Sequence, residues 1–122
     1  MAKQHQGYED WRWWSSRADG RAAAKKEFEK LPVGIQGEFL GIMSRWLSQT
    51  HARHEYDSLG RGLHELRVRE GNNHFRVLFA IEGRLCIALS AFYKNQQQLP
   101  KKEGETARKR MRSGTSVPFD QG

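Results

Sequence analysis

Cysteine is almost missing from this 122-residue chain, with Cys86 the single one. One cysteine excludes a disulfide framework within the chain, and its seat in an apolar run suits a reducing, cytoplasmic location. Long apolar runs are missing too. Residues 77–81 and 85–89 are far too short to cross a bilayer, and Lys3, Glu9, Asp10 and Arg12 stand where an export signal would be apolar. No membrane or export role is expected. Acidic residues thin out between Lys94 and Arg112, where seven Lys and Arg meet only Glu103 and Glu105. The formal net charge is +7. That balance favours phosphate-rich or acidic partners, with nucleic acid ahead of a membrane surface; a solvated basic face that serves only solubility is the competing reading.

Two further absences narrow the chemistry. The "GRG" of residues 60–62 lacks the third glycine of a nucleotide fingerprint and follows no strand. His51 and His54 are spaced i, i+3, but zinc needs a third ligand and the lone cysteine lies in a strand. Neither a metal centre nor a cofactor is expected.

What is present reads as one α+β domain over residues 1–113 with a disordered tail at 114–122, since the length suits one modest core. "YEDWRWWSS", residues 8–16, is short and aromatic and predicts a first strand, with Trp11, Trp13 and Trp14 read as packing residues rather than base-stacking platforms. Asp19 can cap a helix carrying Ala24, Phe28 and Leu31, which Pro32 stops. Ile35, Phe39, Ile42, Met43, Trp46 and Leu47 keep helical spacing to about Gln49. The two helices predict a hairpin packed on the sheet. Residues 50–62 are polar and broken by Gly60 and Gly62, which predicts a loop. Leu63–Glu70, His74–Ile81 and Leu85–Tyr93 then form an antiparallel three-strand meander around "GNN" and "EG" turns. A short basic helix follows Pro100, with only Ala107 and Met111 as its apolar edge.

Strand alternation puts Leu66 and Val68 on one face and Glu65, Arg67 and Arg69 on the other. Phe75, Val77 and Phe79 oppose Arg76, Leu78 and Ala80 in the same way, and Lys94 shares the parity of Ser90 and Phe92. Arg67, Arg69, Arg76 and Lys94 are therefore expected to converge on one face, given a register of the strands that brings them level. Four exposed cations without as many acids call for an external anion, whereas ordinary surface bridges to Glu65 are the competing account. RNA supplies that anion together with its own nucleophile, the 2′-hydroxyl, so it can be cut without metal. Arginine suits the phosphate, while imidazole suits proton transfer. His64 has the parity of Leu66 and Val68 and reads as structural; His74, beside the turn, is the better acid-base candidate.

"FEKLP" opening onto an amphipathic helix, then "GLHELRVREGNNHFRVLFAIEGR", "AFYKN" and "PKKEGETARKR", together resemble the RelE/HigB-like toxins of bacterial and phage type II toxin-antitoxin modules. The likeness spans roughly residues 8–113. Its most specific part is Leu63, Glu65, Leu66 and Arg67, then Phe75 and Arg76, then Phe92 and Lys94 ahead of Pro100. The resemblance implies a compact RelE-type fold and an endonuclease cutting messenger RNA, usually on the ribosome. It also implies a cognate antitoxin, often a helix-turn-helix DNA-binding protein. By motif position the basic site residues are Arg67, Arg69, Arg76 and Lys94, and Lys101, Lys102, Arg108, Lys109 and Arg110 are the RNA-binding candidates. Several relatives carry a tyrosine or histidine near the C-terminus, but neither occurs here after Lys94, which leaves Tyr93 as the nearest candidate. That gap keeps a second reading open, a non-catalytic binding module or an inhibitor of another target such as a topoisomerase.

Overall fold

The computed structural model describes residues 7–94 and 100–120. The last two residues of the expected tail, 121 and 122, lie outside them. Along the chain run β1 (Asp10–Ser15), α1 (Ala23–Glu29), α2 (Val33–Ser48), a 3-10 turn (Arg53–Glu55), β2 (Tyr56–Gly60), β3 (Leu63–Glu70), β4 (Asn73–Glu82), β5 (Leu85–Lys94), α3 (Lys101–Met111) and β6 (Thr115–Pro118). The six strands make one sheet in the order β2-β3-β4-β5-β1-β6. It is antiparallel except where β1 runs parallel to β5. The α+β class, the helical hairpin and the meander of β3, β4 and β5 agree with the sequence. Among the described residues no helix is long and apolar enough to cross a membrane.

Each face of the sheet has its own apolar cluster. Under α1 and α2, Phe28, Ile35, Phe39, Met43 and Trp46 meet Leu66, Val68, Phe75, Val77 and Phe79, with Trp11 and Trp13 closing the side of β1. The opposite face carries a smaller cluster in which Ala107 of α3 covers Leu63, Leu78, Ile87, Leu89 and Phe92. Alternation separates the two sets on β3 and β4, while on β5 a bulge at Leu89, between the Leu78–Ser90 and Phe79–Ala88 pairs, shifts the parity, so that Ala88 and Ala91 share one face and Leu89 and Phe92 the other.

Three expectations change. The first helix starts at Ala23, not at a cap from Asp19; Ala22 takes the N-cap position without a side-chain hydrogen bond. Ala22 and Ala24 are 0% and 1% exposed, so burial of this turn outweighs capping. Within the expected loop of residues 50–62, Tyr56–Gly60 form β2, because the Tyr56 ring stacks on Trp46 at 4.5 Å and its backbone pairs with β3. Gly60, with φ of 85°, ends β2 opposite Leu63, and Gly62, with φ of 80°, lies in the two-residue turn before β3. Residues 115–118, expected in a disordered tail, pair antiparallel with β1 as β6. Val117 is buried, and Phe119 stacks on Trp13 at 3.9 Å while its carbonyl accepts from Trp13 Nε1. Gly114 makes the return possible: its φ is 71°, and a Cβ there would stand 2.5 Å from the Ser15 carbonyl oxygen.

A candidate RNA-cleaving site

Three rungs of the meander carry the site on the α3 face. Glu65 lies opposite Leu78, and Leu78 opposite Ser90; Arg67 lies opposite Arg76, and Arg76 opposite Phe92; Arg69 lies opposite His74, and His74 opposite Lys94. Register thus brings Arg67, Arg69, Arg76, His74 and Lys94 together. Ala107 of α3 packs in the apolar cluster of the same face, which includes Leu78 on the Glu65 rung and Phe92 on the Arg67–Arg76 rung.

The burial of these side chains departs from the sequence reading. Arg76 is 3% exposed and Lys94 5%, so the cations are not a uniformly exposed set. Arg67 is half-buried and Arg69 exposed. Glu65, 5% exposed, is a fifth charge inside the cluster and no surface bridge. Its Oε1 lies 3.1 Å from Arg76 Nε and its Oε2 3.7 Å from Arg67 Nε. Arg67 Nη2 donates to the Tyr56 carbonyl at 3.2 Å, and Arg69 Nε to that of Gly71 at 2.8 Å. Sequence reasoning placed Glu65 on the right face but missed it as a site residue. Its parity with Arg67, combined with the burial that the flanking apolar residues impose, was the available signal.

Electrostatics separates the two proton carriers. Burial, and then the positive charges of Arg76, Arg69 and Lys94, hold the His74 imidazole below its usual 6.5. It is neutral at pH 7. Burial and the Arg76 and Arg67 guanidiniums bring the Lys94 ammonium down to about 8, with Glu65 pulling the other way. Burial raises the Glu65 carboxyl, opposed by Arg76, Arg67 and Lys94. A neutral base and a cationic acid with a modest pKa thus face each other across β4 and β5.

Other candidates lie elsewhere. Tyr93 is on the opposite face, 51% exposed, packed on Phe75 at 5.3 Å and donating to Asn73 Oδ1. β5 continues through Lys94, so alternation keeps Tyr93 out of the cluster. His64 points into the hairpin side, its Nδ1 2.8 Å from the Tyr56 hydroxyl, as a structural histidine does. On α3, Lys101, Lys102 and Lys109 are exposed. Arg108 donates to the Leu59 and Gly60 carbonyls, and Arg110 to Glu27 and the Leu89 carbonyl with its guanidinium 4.7 Å over the Trp14 ring. Cys86 accepts from Trp46 Nε1, and burial pushes its thiol up to about 11, outside the range of a useful nucleophile. Among the described residues no three His, Cys, Asp or Glu side chains converge as a metal-ligand set.

The family model described as "Phage derived protein Gp49-like (DUF891)" matches residues 26–112. The chain belongs to this family. It is also 43% identical over 97 residues to the protein named "Probable endoribonuclease HigB1" of Mycobacterium tuberculosis, in strains CDC 1551 / Oshkosh and ATCC 25618 / H37Rv. The alignment covers 80% of this chain and 78% of each relative. Together these bear out the resemblance to RelE/HigB-like toxins. The matched stretch contains every rung of the charged cluster.

Proposed function

We propose that this Gp49-like chain is the toxin of a toxin-antitoxin module and cuts messenger RNA, on the ribosome and in the cytoplasm, without metal or cofactor. The observation that carries the reading is the pair of adjacent rungs, Arg67 opposite Arg76 and His74 opposite Lys94. Neutral His74 takes the proton from the 2′-hydroxyl, the 2′ oxygen attacks phosphorus, and the bond to the 5′ oxygen breaks as Lys94 protonates the leaving group. The products are a 2′,3′-cyclic phosphate and a 5′-hydroxyl. Arg67 and Arg69 meet the phosphate first, and Arg76 behind them adds positive potential where charge develops. Exposed Lys101, Lys102 and Lys109 extend the cationic surface along α3 toward the RNA backbone. The name of the HigB1 relative supports the endoribonuclease assignment. A net charge of +7 suits neutralisation by an acidic segment of a cognate antitoxin, proposed to be a helix-turn-helix repressor.

The test is incubation with ribosomes carrying a defined messenger. Cleavage should leave cyclic-phosphate and 5′-hydroxyl ends and disappear when the scissile nucleotide is 2′-deoxy. Arg76→Ala should lower the rate by more than about tenfold; an unchanged rate removes Arg76 from the site. The burial of Arg76 and Lys94 favours one second reading, a binding module that holds RNA or another target without cutting it. Binding with no product on prolonged incubation selects that reading.

A further inference from the structure

One carboxylate sits among four cations of the site, and its geometry is specific. Arg67 and Arg76 lie directly opposite each other on β3 and β4. Like charges so opposed repel. Glu65 precedes Arg67 by two residues on the same face and gives one oxygen to each guanidinium, 3.1 Å from Arg76 Nε and 3.7 Å from Arg67 Nε. The Glu65 and Arg76 side chains are 6% and 4% exposed, so water has little access to replace either partner. The far ends are oriented by the backbone: Arg67 Nη2 donates to the Tyr56 carbonyl and Arg76 Nη1 to that of Phe75.

We propose that Glu65 is a positioning residue for RNA cleavage, the shared counter-charge that holds Arg67 and Arg76 side by side and supports the positive charge of Lys94 in the same cluster. The inference rests on the RNA-cleaving reading of this site. Neither Nε makes a directed hydrogen bond to the carboxylate, so Glu65 acts as a shared counter-charge that keeps two like-charged side chains from spreading apart and turns both guanidiniums toward one phosphate. Among the described residues of β3 and β4, the charged and titratable groups on the Lys94 face are His74, Arg76, Glu65, Arg67 and Arg69. Of these Glu65 is the one anion. Removing its charge takes away a pull that opposes burial, Arg76 and Arg67 at Lys94, and the proton then departs at lower pH.

Glu65→Gln keeps the shape and one acceptor but loses the charge; Glu65→Asp keeps the charge but shortens the reach by one methylene. Both are made in the full chain and read in two ways: by the pH profile of cleavage of ribosome-bound messenger, and by NMR titration of Lys94. Glu65→Gln should cut at least tenfold more slowly, and its Lys94 midpoint and alkaline limb should move together to lower pH by about one unit. Glu65→Asp should leave the Lys94 midpoint near the wild-type value yet cut about tenfold more slowly, because the shared counter-charge is displaced. A folded Glu65→Gln with unchanged rate and unchanged Lys94 midpoint overturns the proposal. Should that variant not fold, a wild-type rate in Glu65→Asp overturns it instead. If the wild-type chain cuts no RNA, the functional reading fails, while the Lys94 midpoint still decides whether Glu65 governs that lysine.

Discussion

The two faces of one sheet solve opposite problems with the same three strands. Toward α1 and α2, β3, β4 and β5 present Leu66, Val68, Phe75, Val77, Phe79, Cys86, Ala88 and Ala91, all buried. Toward α3 they present an apolar half, Leu63, Leu78, Ile87, Leu89 and Phe92, and a charged half, Glu65, Arg67, Arg76, His74 and Lys94. Two histidines ten residues apart mark the contrast. His64 faces the hairpin and hydrogen-bonds Tyr56, whereas His74 faces three cations. Burial lowers the pKa of both, but only His74 has neighbours that can use a neutral imidazole. One face carries the larger apolar cluster, and the other divides between a smaller apolar cluster and buried charge.

The largest expected effect breaks the first face. Phe79 is fully buried and packs edge-on to Trp11 at 4.9 Å and to Trp46 at 5.3 Å. Phe79→Ala should cost about 3–5 kcal/mol, read as a collapse of the thermal or denaturant midpoint, with cleavage lost only because the chain unfolds. If this variant keeps its midpoint, the hairpin face is not where the stability resides.

A substitution on the charged half should do the reverse. The ammonium of Lys94 is penalised in the folded state, where its pKa is about 8 against an ordinary 10.5. Since the folded value is the lower one, the penalty is complete below pH 8 and fades as pH rises toward 10.5. Lys94→Met should therefore stabilise the fold at pH 7 by about 1–3 kcal/mol and abolish cleavage. Its advantage over the wild type should shrink in melts between pH 8 and pH 10. A destabilised Lys94→Met would mean that the cluster contributes to the fold instead of straining it.

The difference between the faces also explains what the sequence reveals. Period-two alternation in "HELRVRE" and "HFRVLFAI" is local, so it assigns Arg67, Arg69 and Arg76 to one face with no knowledge of the partner strands. Burial is not local. That Arg76 and Lys94 lie nearly inside, and that Glu65 joins them, depends on the register of three strands and on what covers their ends. β2 and β6 escape for a related reason. Each is an edge strand of four or five residues, rich in turn-formers, and is anchored by distant aromatic rings: Tyr56 packs on Trp46 and Phe79, and Phe119, just past β6, packs on Trp11 and Trp13. Tyr93 is the reverse case: as the immediate neighbour of Lys94 it turns to the other face by alternation, once β5 is seen to run through Lys94.

The smallest effects distinguish neighbours on α3 that the sequence treats alike. Arg110 bridges Glu27 of α1 at 2.9 Å, caps the Leu89 carbonyl at 2.8 Å and lies over Trp14. Glu27 Oε1 also accepts from the Ala91 N–H at 3.3 Å, so this pair ties both helices to β5 beyond its last rung with β1 at Ala88. Arg110→Ala should cost about 1–3 kcal/mol and affect RNA binding chiefly through stability. Lys109, one residue earlier, is exposed. Lys109→Ala should leave the melting midpoint within about 0.5 kcal/mol of wild type and lower the slope of log affinity against log salt by about one. A salt slope that falls for Arg110→Ala but not for Lys109→Ala would reverse the assignment: RNA would then be held along the Trp14 side of α3, and the contact with Glu27 would have to open to admit it.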